Sequence, residues 1–167
     1  MHISEFNQIP LVQAQTILKQ CVNIPSWMML LSEHRPYESK HSLIQLAQQQ
    51  TSSWTWQEVK TSLNSHPRIG EKQAQQKLSA KEQSLSDREQ AGVSQDQTTL
   101  DALHEANLSY EAKFGFIFLI KAAGLTSEDI LEKMQQRLQN DIETEKDIVK
   151  QQLAEIAILR LDQEIES

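Results

Sequence analysis

Apolar residues recur at helical spacing along most of this chain. One such stripe, on a helix whose first turn can hold Pro10, consists of Leu11, Ala14, Ile17, Leu18 and Cys21. The same periodicity, with capping residues at several of its starts, predicts further helices over residues 26–34, 42–50, 55–65, 96–114, 126–138 and 141–163. The pattern therefore predicts an all-α fold.

The composition supports this prediction. Glutamine, glutamate, leucine, alanine and lysine dominate, whereas glycine and proline occur four times each. No internal repeat and no long linker divides the 167 residues, a length that suits one domain with a substantial core and a small cleft. We expect residues 1–167 to form a single domain of about seven to nine helices.

Two segments depart from the helical pattern. Residues 71–84 are polar and rich in lysine and glutamine, and we expect a mobile or partly helical crossing there. Residues 116–123 form an apolar run that is interrupted only by Lys121. This run should be buried, in either an extended or a helical conformation.

Charge and cysteine content limit the possible partners and location. The net charge is −7 and the basic residues are scattered, so binding to nucleic acid is not expected. No run approaches the roughly 18 apolar residues of a membrane span, and the first residues lack the layout of a signal peptide. Cys21 is the only cysteine, which excludes an internal disulfide and favours a reducing compartment. We expect a cytoplasmic protein.

Residues 66–72, His-Pro-Arg-Ile-Gly-Glu-Lys, are the stretch whose composition most needs a chemical explanation. Pro67 biases His66 away from helical conformation, and Gly70 allows the backbone to approach a small ligand. An imidazole that titrates near neutral pH suits proton transfer. The alternative is a histidine that closes a helix and bonds a carbonyl.

Arg160 lies on the apolar stripe of the last predicted helix. Val149, Leu153, Ile156 and Arg160 follow helical spacings of four, three and four. One interpretation is an arginine that extends outward to solvent near the helix end. The other is a guanidinium in a cleft wall that binds an anion or a ureido group through two parallel hydrogen bonds.

The segment Ser86-Asp87-Arg88-Glu89-Gln90 has the spacing of a capping box. Taken alone, it predicts the start of a short helix, because Ala91 and Gly92 follow. A carboxylate and an amide beside the N–H groups of a helix start could also serve a ligand.

Other kinds of site are not indicated. The chain has no His-Glu-x-x-His, no paired cysteines and no glycine-rich phosphate loop, so no metal site or nucleotide fingerprint is predicted. The four remaining histidines should be surface residues.

Taken together, these segments resemble the family of 2-oxo-4-hydroxy-4-carboxy-5-ureidoimidazoline (OHCU) decarboxylases. These enzymes of purine catabolism follow uricase and hydroxyisourate hydrolase. The resemblance covers nearly the whole chain and is carried by Cys21 with Trp27, Arg35-Pro36-Tyr37, residues 66–72, Ser86 to Gln90, Asn107 with Tyr110, Lys113 to Phe116, Arg137-Leu138 with Asn140, and Arg160-Leu161.

The resemblance implies a single all-α domain, commonly a homodimer, that uses neither a metal nor an organic cofactor. It implies His66, Glu89 and Arg160 as the catalytic residues. The substrate-binding residues that it implies are Pro67, Ser86, Asp87, Arg88, Glu89, Gln90, Phe118, Leu119, Ile120, Lys121, Ala122 and Arg160. Many members have a cysteine where this chain has Lys121.

The implied activity is decarboxylation of the ureidoimidazoline to (S)-allantoin in urate degradation. The conjugated C=N system of the ring can accept the electrons that CO₂ leaves behind. His66 would be the acid–base group, Glu89 would orient it or share protons, Gln90 would bind the amide edge of the ring, and Arg160 would hold anionic oxygens. The alternatives are a related ureido acid as substrate, or a non-catalytic helical bundle that binds a protein partner through its C-terminal helix.

Overall fold

The structure is a computed structural model and describes residues 1–70, 79–94 and 96–167. Over these ranges the chain forms helices without β-strands, which confirms the all-α prediction. The described helices are α1 (Ile3–Gln8), α2 (Leu11–Cys21), α3 (Pro25–Glu33), α4 (Lys40–Thr51), α5 (Trp56–Ser62), a 3₁₀ helix (Leu63–Ser65), α6 (Ala80–Glu89), α7 (Gln97–Phe114), α8 (Ser127–Arg137) and α9 (Ile142–Glu164).

The chain divides into two compact units. Unit 1 consists of Met1–Ser62 and Ala154–Ser167, and unit 2 consists of Leu63–Leu153. The single domain over residues 1–167 stays a prediction. None of the helices in the described ranges has the length and apolar character of a membrane span.

Most predicted helix starts are confirmed by their caps. The Asp96 side chain accepts a hydrogen bond from Thr99 N–H, and Thr126 forms a capping box with Asp129. Helix α7 ends at Gly115, whose φ of 78° is the left-handed conformation that glycine adopts freely. The first helix, α1, was not predicted, because it is one short stretch that begins behind His2 as N-cap.

The predicted helix start at Ser86 is wrong. Helix α6 begins at Ala80, behind a capping box that Ser79 forms with Glu82. A helix that begins behind Ser79 has ten residues and buries Leu85 and Ser86. A helix that began at Ser86 would be much shorter, because Gly92 follows after only a few residues. Residues 86–89 are therefore the last turn, and the free backbone groups beside them are carbonyl oxygens rather than anion-binding N–H groups.

The structure differs between the two segments that departed from the helical pattern, residues 71–84 and 116–123. Of residues 71–84, those from Ala80 onward are helical, and 71–78 lie outside the described residues. Residues 116–122 follow neither a helix nor a strand. The apolar run is therefore an irregular, largely buried segment.

Unit 1 is organised around a fully buried tryptophan. Helix α3 packs on both α2 and α4, and Trp27 of α3 donates its indole N–H to the Ala47 carbonyl of α4 at 3.1 Å. The Trp54 ring meets it edge-on at 6.3 Å between ring centroids. This pairing buries two aromatic side chains and satisfies the Trp27 N–H, which fixes the orientation of α3.

Unit 2 has an aromatic core on helix α7, which packs on α8. Tyr110 of α7 is fully buried, and its ring contacts Phe114, Phe116 and Phe118 at centroid distances of 4.7, 6.0 and 5.1 Å. The irregular segment after α7 is thus anchored by its alternate aromatic residues to the helix that precedes it.

Candidate active site

His66 stands at the end of the short 3₁₀ helix. Its backbone N–H donates to the Leu63 carbonyl at 3.0 Å, and the residue is half-buried, as is Pro67. The backbone of His66 therefore closes a helix, as one interpretation of the sequence expected. This bond engages only the backbone, so it does not exclude a chemical role for the imidazole.

Helix α7 supports the loop that follows His66. Arg68 forms a bidentate ion pair with Glu111, with N–O distances of 2.8 to 3.1 Å. Asn107 Nδ2 donates to the Ile69 carbonyl at 3.2 Å, and a Cβ on Gly70 would lie 3.2 Å from Leu103. Leu103, Asn107 and Glu111 are four residues apart and share one helix face. Residues 68–70 therefore run along this face of α7.

Gln90, the C-cap of α6, reaches the same loop. Its Oε1 accepts a hydrogen bond from Gly70 N–H at 3.1 Å, and its Nε2 donates to Ser86 Oγ at 3.3 Å. The residues 66–70 and 86–90, which the sequence indicates as candidate functional segments, are thus joined by a direct hydrogen bond. Within the second segment Ser86 is buried, Glu89 and Gln90 are half-buried, and Asp87 and Arg88 are exposed.

The end of α6 is fixed by close packing. A Cβ on Gly92 would lie 2.3 Å from the Leu125 carbonyl oxygen, so only glycine fits there. Two residues later, Ser94 N–H donates to Ser127 Oγ at 2.7 Å. These contacts tie the chain after Gln90 to the start of α8.

Two backbone groups of the segment 118–122 form hydrogen bonds with side chains from other helices. Arg137 Nη1 of α8 donates to the Leu119 carbonyl at 2.7 Å, and Lys121 N–H donates to Gln152 Oε1 of α9 at 2.8 Å. Phe118, Leu119, Ile120 and Ala122 are buried, and Lys121 is half-buried. Regular secondary structure would have made these partners unnecessary.

Arg137 belongs to a buried polar cluster centred on Glu145, which is completely inaccessible. Glu145 accepts hydrogen bonds from Arg137 Nε at 2.6 Å, Tyr110 Oη at 2.5 Å and Asn140 Nδ2 at 3.1 Å. The Arg137 guanidinium lies over the Phe118 ring, 4.2 Å from its centroid. Burial, followed by the hydrogen bond to Glu145, holds the pKa of Tyr110 well above its usual value.

Arg160 lies in unit 1 and is only 5% exposed. Its Nη1 lies 3.5 Å from the Gln20 carbonyl, to which it donates. The interpretation in which Arg160 extends outward to solvent is therefore wrong. Burial of a guanidinium requires acceptors around it, which is compatible with an anion-binding role.

No supporting role was predicted from the sequence for the side chains that hold the two loops, which are Asn107, Glu111, Arg137, Glu145 and Gln152. The sequence could have indicated Glu145, because this residue lies four positions before Val149 and is a charged residue on the apolar stripe that ends at Arg160. Asn107 shares the helical spacing of Leu103, Tyr110 and Phe114, and a polar residue on such an apolar face needs a partner. No comparable signal marks Glu111 or Gln152.

The described residues contain no group of three or more His, Cys, Asp or Glu side chains placed to hold a metal ion. Three of the segments predicted for the site, which are the loop at His66, the end of α6 and residues 118–122, belong to unit 2. Glu89 and His66 belong to this unit and Arg160 to unit 1, and their convergence around one substrate stays a prediction.

Comparisons with known proteins match nearly the whole chain. The family model described as OHCU decarboxylase matches residues 7–162. A uric acid degradation bifunctional protein from Bacillus sp. (strain TB-90) is 25% identical over an alignment of 167 positions, which covers 98% of this chain. The chain spans about a third of that relative, 32% of its length.

Two solved structures have a similar fold. An OHCU decarboxylase crystallised in the presence of (S)-allantoin has a TM-score of 0.70 at 24% identity, over 87% of this chain and 94% of its own. An (S)-allantoin synthase has a TM-score of 0.73 at 16% identity, over 100% of this chain and 55% of its own. Because the family model described as OHCU decarboxylase matches residues 7–162, which is nearly the whole chain, the chain belongs to the OHCU decarboxylase family.

Proposed function

We propose that this protein decarboxylates 2-oxo-4-hydroxy-4-carboxy-5-ureidoimidazoline to (S)-allantoin, using neither a metal nor an organic cofactor. Membership of the OHCU decarboxylase family supports this activity. The observation that carries it is the hydrogen bond between Gln90 Oε1 and Gly70 N–H, because it joins the loop after His66 to the segment that bears Glu89.

In the proposed reaction, the bond between the ring carbon and its carboxylate breaks and CO₂ leaves. The electron pair enters the conjugated C=N system of the ring. The hydroxyl on the same carbon then loses its proton and becomes the ring carbonyl of allantoin, and one proton is added to one face of the neighbouring carbon, which bears the ureido group. His66 is the proposed proton donor, and Glu89 orients it or exchanges protons with it. Arg160 is proposed to hold the anionic oxygens and to stabilise the charge that develops in the transition state.

The substrate-binding residues of the proposal are Pro67, the segment Ser86 to Gln90, and the segment Phe118 to Ala122. The side chains in the last segment are mostly buried, which supports recognition through its backbone groups. Gln90 already bonds Gly70 and Ser86, but it retains a second N–H and a second lone pair for the amide edge of the ring.

We further propose that the protein is a cytoplasmic homodimer. The family resemblance supports the dimer, and a single, buried cysteine supports a reducing compartment. Sedimentation analysis of the purified protein would test the dimer, and a monomer at all concentrations would contradict it.

The activity can be tested by generating the unstable substrate from urate with uricase and hydroxyisourate hydrolase. We expect the protein to accelerate decay of the ureidoimidazoline and to give optically active allantoin, followed by absorbance and circular dichroism. Unchanged decay with racemic product would contradict the proposal. Turnover of a related ureido acid in place of this substrate would support the same fold with a different specificity.

A further inference from the structure

The buried cluster around Glu145 and Arg137 is not needed to hold an anionic substrate, yet it is an unusual feature for a helical core. A buried ion pair contributes little to stability compared with apolar residues of similar volume, because desolvation of both charges offsets their attraction. Here Glu145 is 0% exposed and Arg137 is 7% exposed. Such a pair is better explained by the geometry that it fixes.

The cluster contacts the segment 118–122 at consecutive residues. Arg137 Nη1 donates to the Leu119 carbonyl, and the guanidinium stacks on Phe118. Tyr110, which donates to Glu145, also meets the Phe118 ring edge-on with an interplanar angle of 86°. The carboxylate therefore fixes two side chains that both hold Phe118.

We infer that Arg137, held by Glu145, is a positioning residue that sets the backbone of 118–122 for ligand binding. The guanidinium is planar and rigid, so its N–H groups have fixed directions relative to one another. When Glu145 binds some of these groups, the directions of the others are determined as well. One of these N–H groups fixes Leu119. This inference rests on the proposed function, since that segment is the proposed backbone contact for the substrate.

The test uses the double variant Arg137→Met with Glu145→Gln. It leaves no unpaired buried charge, and the donor to Leu119 is lost. The new amide oxygen can accept from Tyr110, while Asn140, which bonds the other oxygen of Glu145, can turn its own amide to accept from the new NH₂ group. Ser127→Ala is the matched control, because it removes a different buried hydrogen bond of unit 2, the one from Ser94 N–H. Urea denaturation checks that both variants fold.

Two readouts separate the inference from the proposed function. Hydrogen exchange of residues 116–123 needs no activity, and we expect it to accelerate about ten-fold in the double variant but not in the control. In the decarboxylation assay we expect KM to rise about ten-fold with kcat changed less than about two-fold, the pattern of lost uniform binding.

Unchanged exchange in a folded double variant would overturn the inference, as would an equal rise in KM for the Ser127→Ala control. If the unaltered protein did not accelerate decarboxylation at all, the proposed function would fail. Faster exchange confined to residues 116–123 would then still support Arg137 as the residue that positions this segment.

Discussion

Gln90 links the two segments of the candidate site, since its Oε1 accepts a hydrogen bond from Gly70 N–H at 3.1 Å. The donor belongs to the loop that carries His66, and the acceptor belongs to the residue after Glu89. One amide side chain therefore sets the relation between a proposed acid–base group and its proposed partner.

We predict that Gln90→Leu lowers kcat/KM by about ten-fold to a hundred-fold, because the loop loses its contact with α6. Gln90→Glu keeps an acceptor for Gly70 and should lose less. Steady-state kinetics would measure both effects. Gln97→Leu is a suitable control, as Gln97 bonds only Asp101 on the exposed side of α7 among the contacts described for it. Equal activity of Gln90→Leu and the unaltered protein would contradict the prediction.

His66→Asn should remove the proposed proton donor while it keeps a polar side chain of similar size. Loss of general acid–base catalysis costs roughly a hundred-fold to ten-thousand-fold in rate. Enzyme-accelerated formation of optically active allantoin is the measurement. His104→Asn on the exposed side of α7 should leave the rate unchanged. Near-normal optically active product from His66→Asn would refute the assigned role.

Gly92→Ala should destabilise the protein by steric overlap rather than by backbone strain. The added Cβ would lie 2.3 Å from the Leu125 carbonyl oxygen, and overpacking of this kind costs about 1–3 kcal/mol. Gly124→Ala is the contrast, because Gly124 has a φ of +80° but no atom within 4 Å of an added Cβ, so only strain of about 1–2 kcal/mol applies. Urea denaturation gives both free energies of unfolding. A fully stable Gly92→Ala variant would show that the close approach is wrong.

Both tyrosines should resist ionisation in the folded protein. Burial is the largest cause that raises the pKa of Tyr37 and of Tyr110 above the usual 10.0, and the hydrogen bond to Glu145 adds to it for Tyr110. A raised folded-state pKa favours the neutral form, so this contribution to stability is complete below about pH 10 and is lost as the pH rises further.

The measurement is an alkaline titration followed by tyrosinate absorbance and by circular dichroism. We expect tyrosinate to appear together with unfolding rather than before it. Ionisation with a midpoint near pH 10 in a protein that retains native circular dichroism would contradict this expectation.

The Arg68–Glu111 pair should show a measurable coupling energy. Its side chains are 41% and 20% exposed, and a bidentate pair in such a setting is worth about 0.5–1 kcal/mol. A double-mutant cycle with Arg68→Met and Glu111→Gln, read by urea denaturation, gives this value. The pair Lys146–Glu143, in which Glu143 is 80% exposed, serves as reference and should couple more weakly. Equal coupling in both pairs would argue against the bidentate geometry.

Helical periodicity was sufficient to predict the fold and most helix boundaries from the sequence. Capping chemistry located Thr126 correctly, but it failed at Ser86, because the same spacing occurs at Ser79 and a local rule cannot choose between two candidates. Tertiary packing decided that case.

The candidate catalytic residues were easier to select from the sequence than the residues that support the candidate site. His66 and Arg160 were recognisable because each conflicts with its surroundings, a histidine before proline and a cation on an apolar stripe. Gln152 conflicts with nothing in its own helix. Gln152 accepts a hydrogen bond from the backbone N–H of Lys121, which is distant in sequence and lies in an irregular segment, so helical spacing could not indicate the contact.

The irregular backbone between Phe118 and Ala122 has a consequence for how this family diversifies. If recognition uses main-chain groups, the side chains there can change, as at Lys121, without altering what a ligand meets. The residues that must then be kept are Arg137 and Gln152, which lie on other helices and bond the backbone of the segment. Substitution of Arg137 or Gln152 would then alter the surface that a ligand meets, although neither residue belongs to the segment.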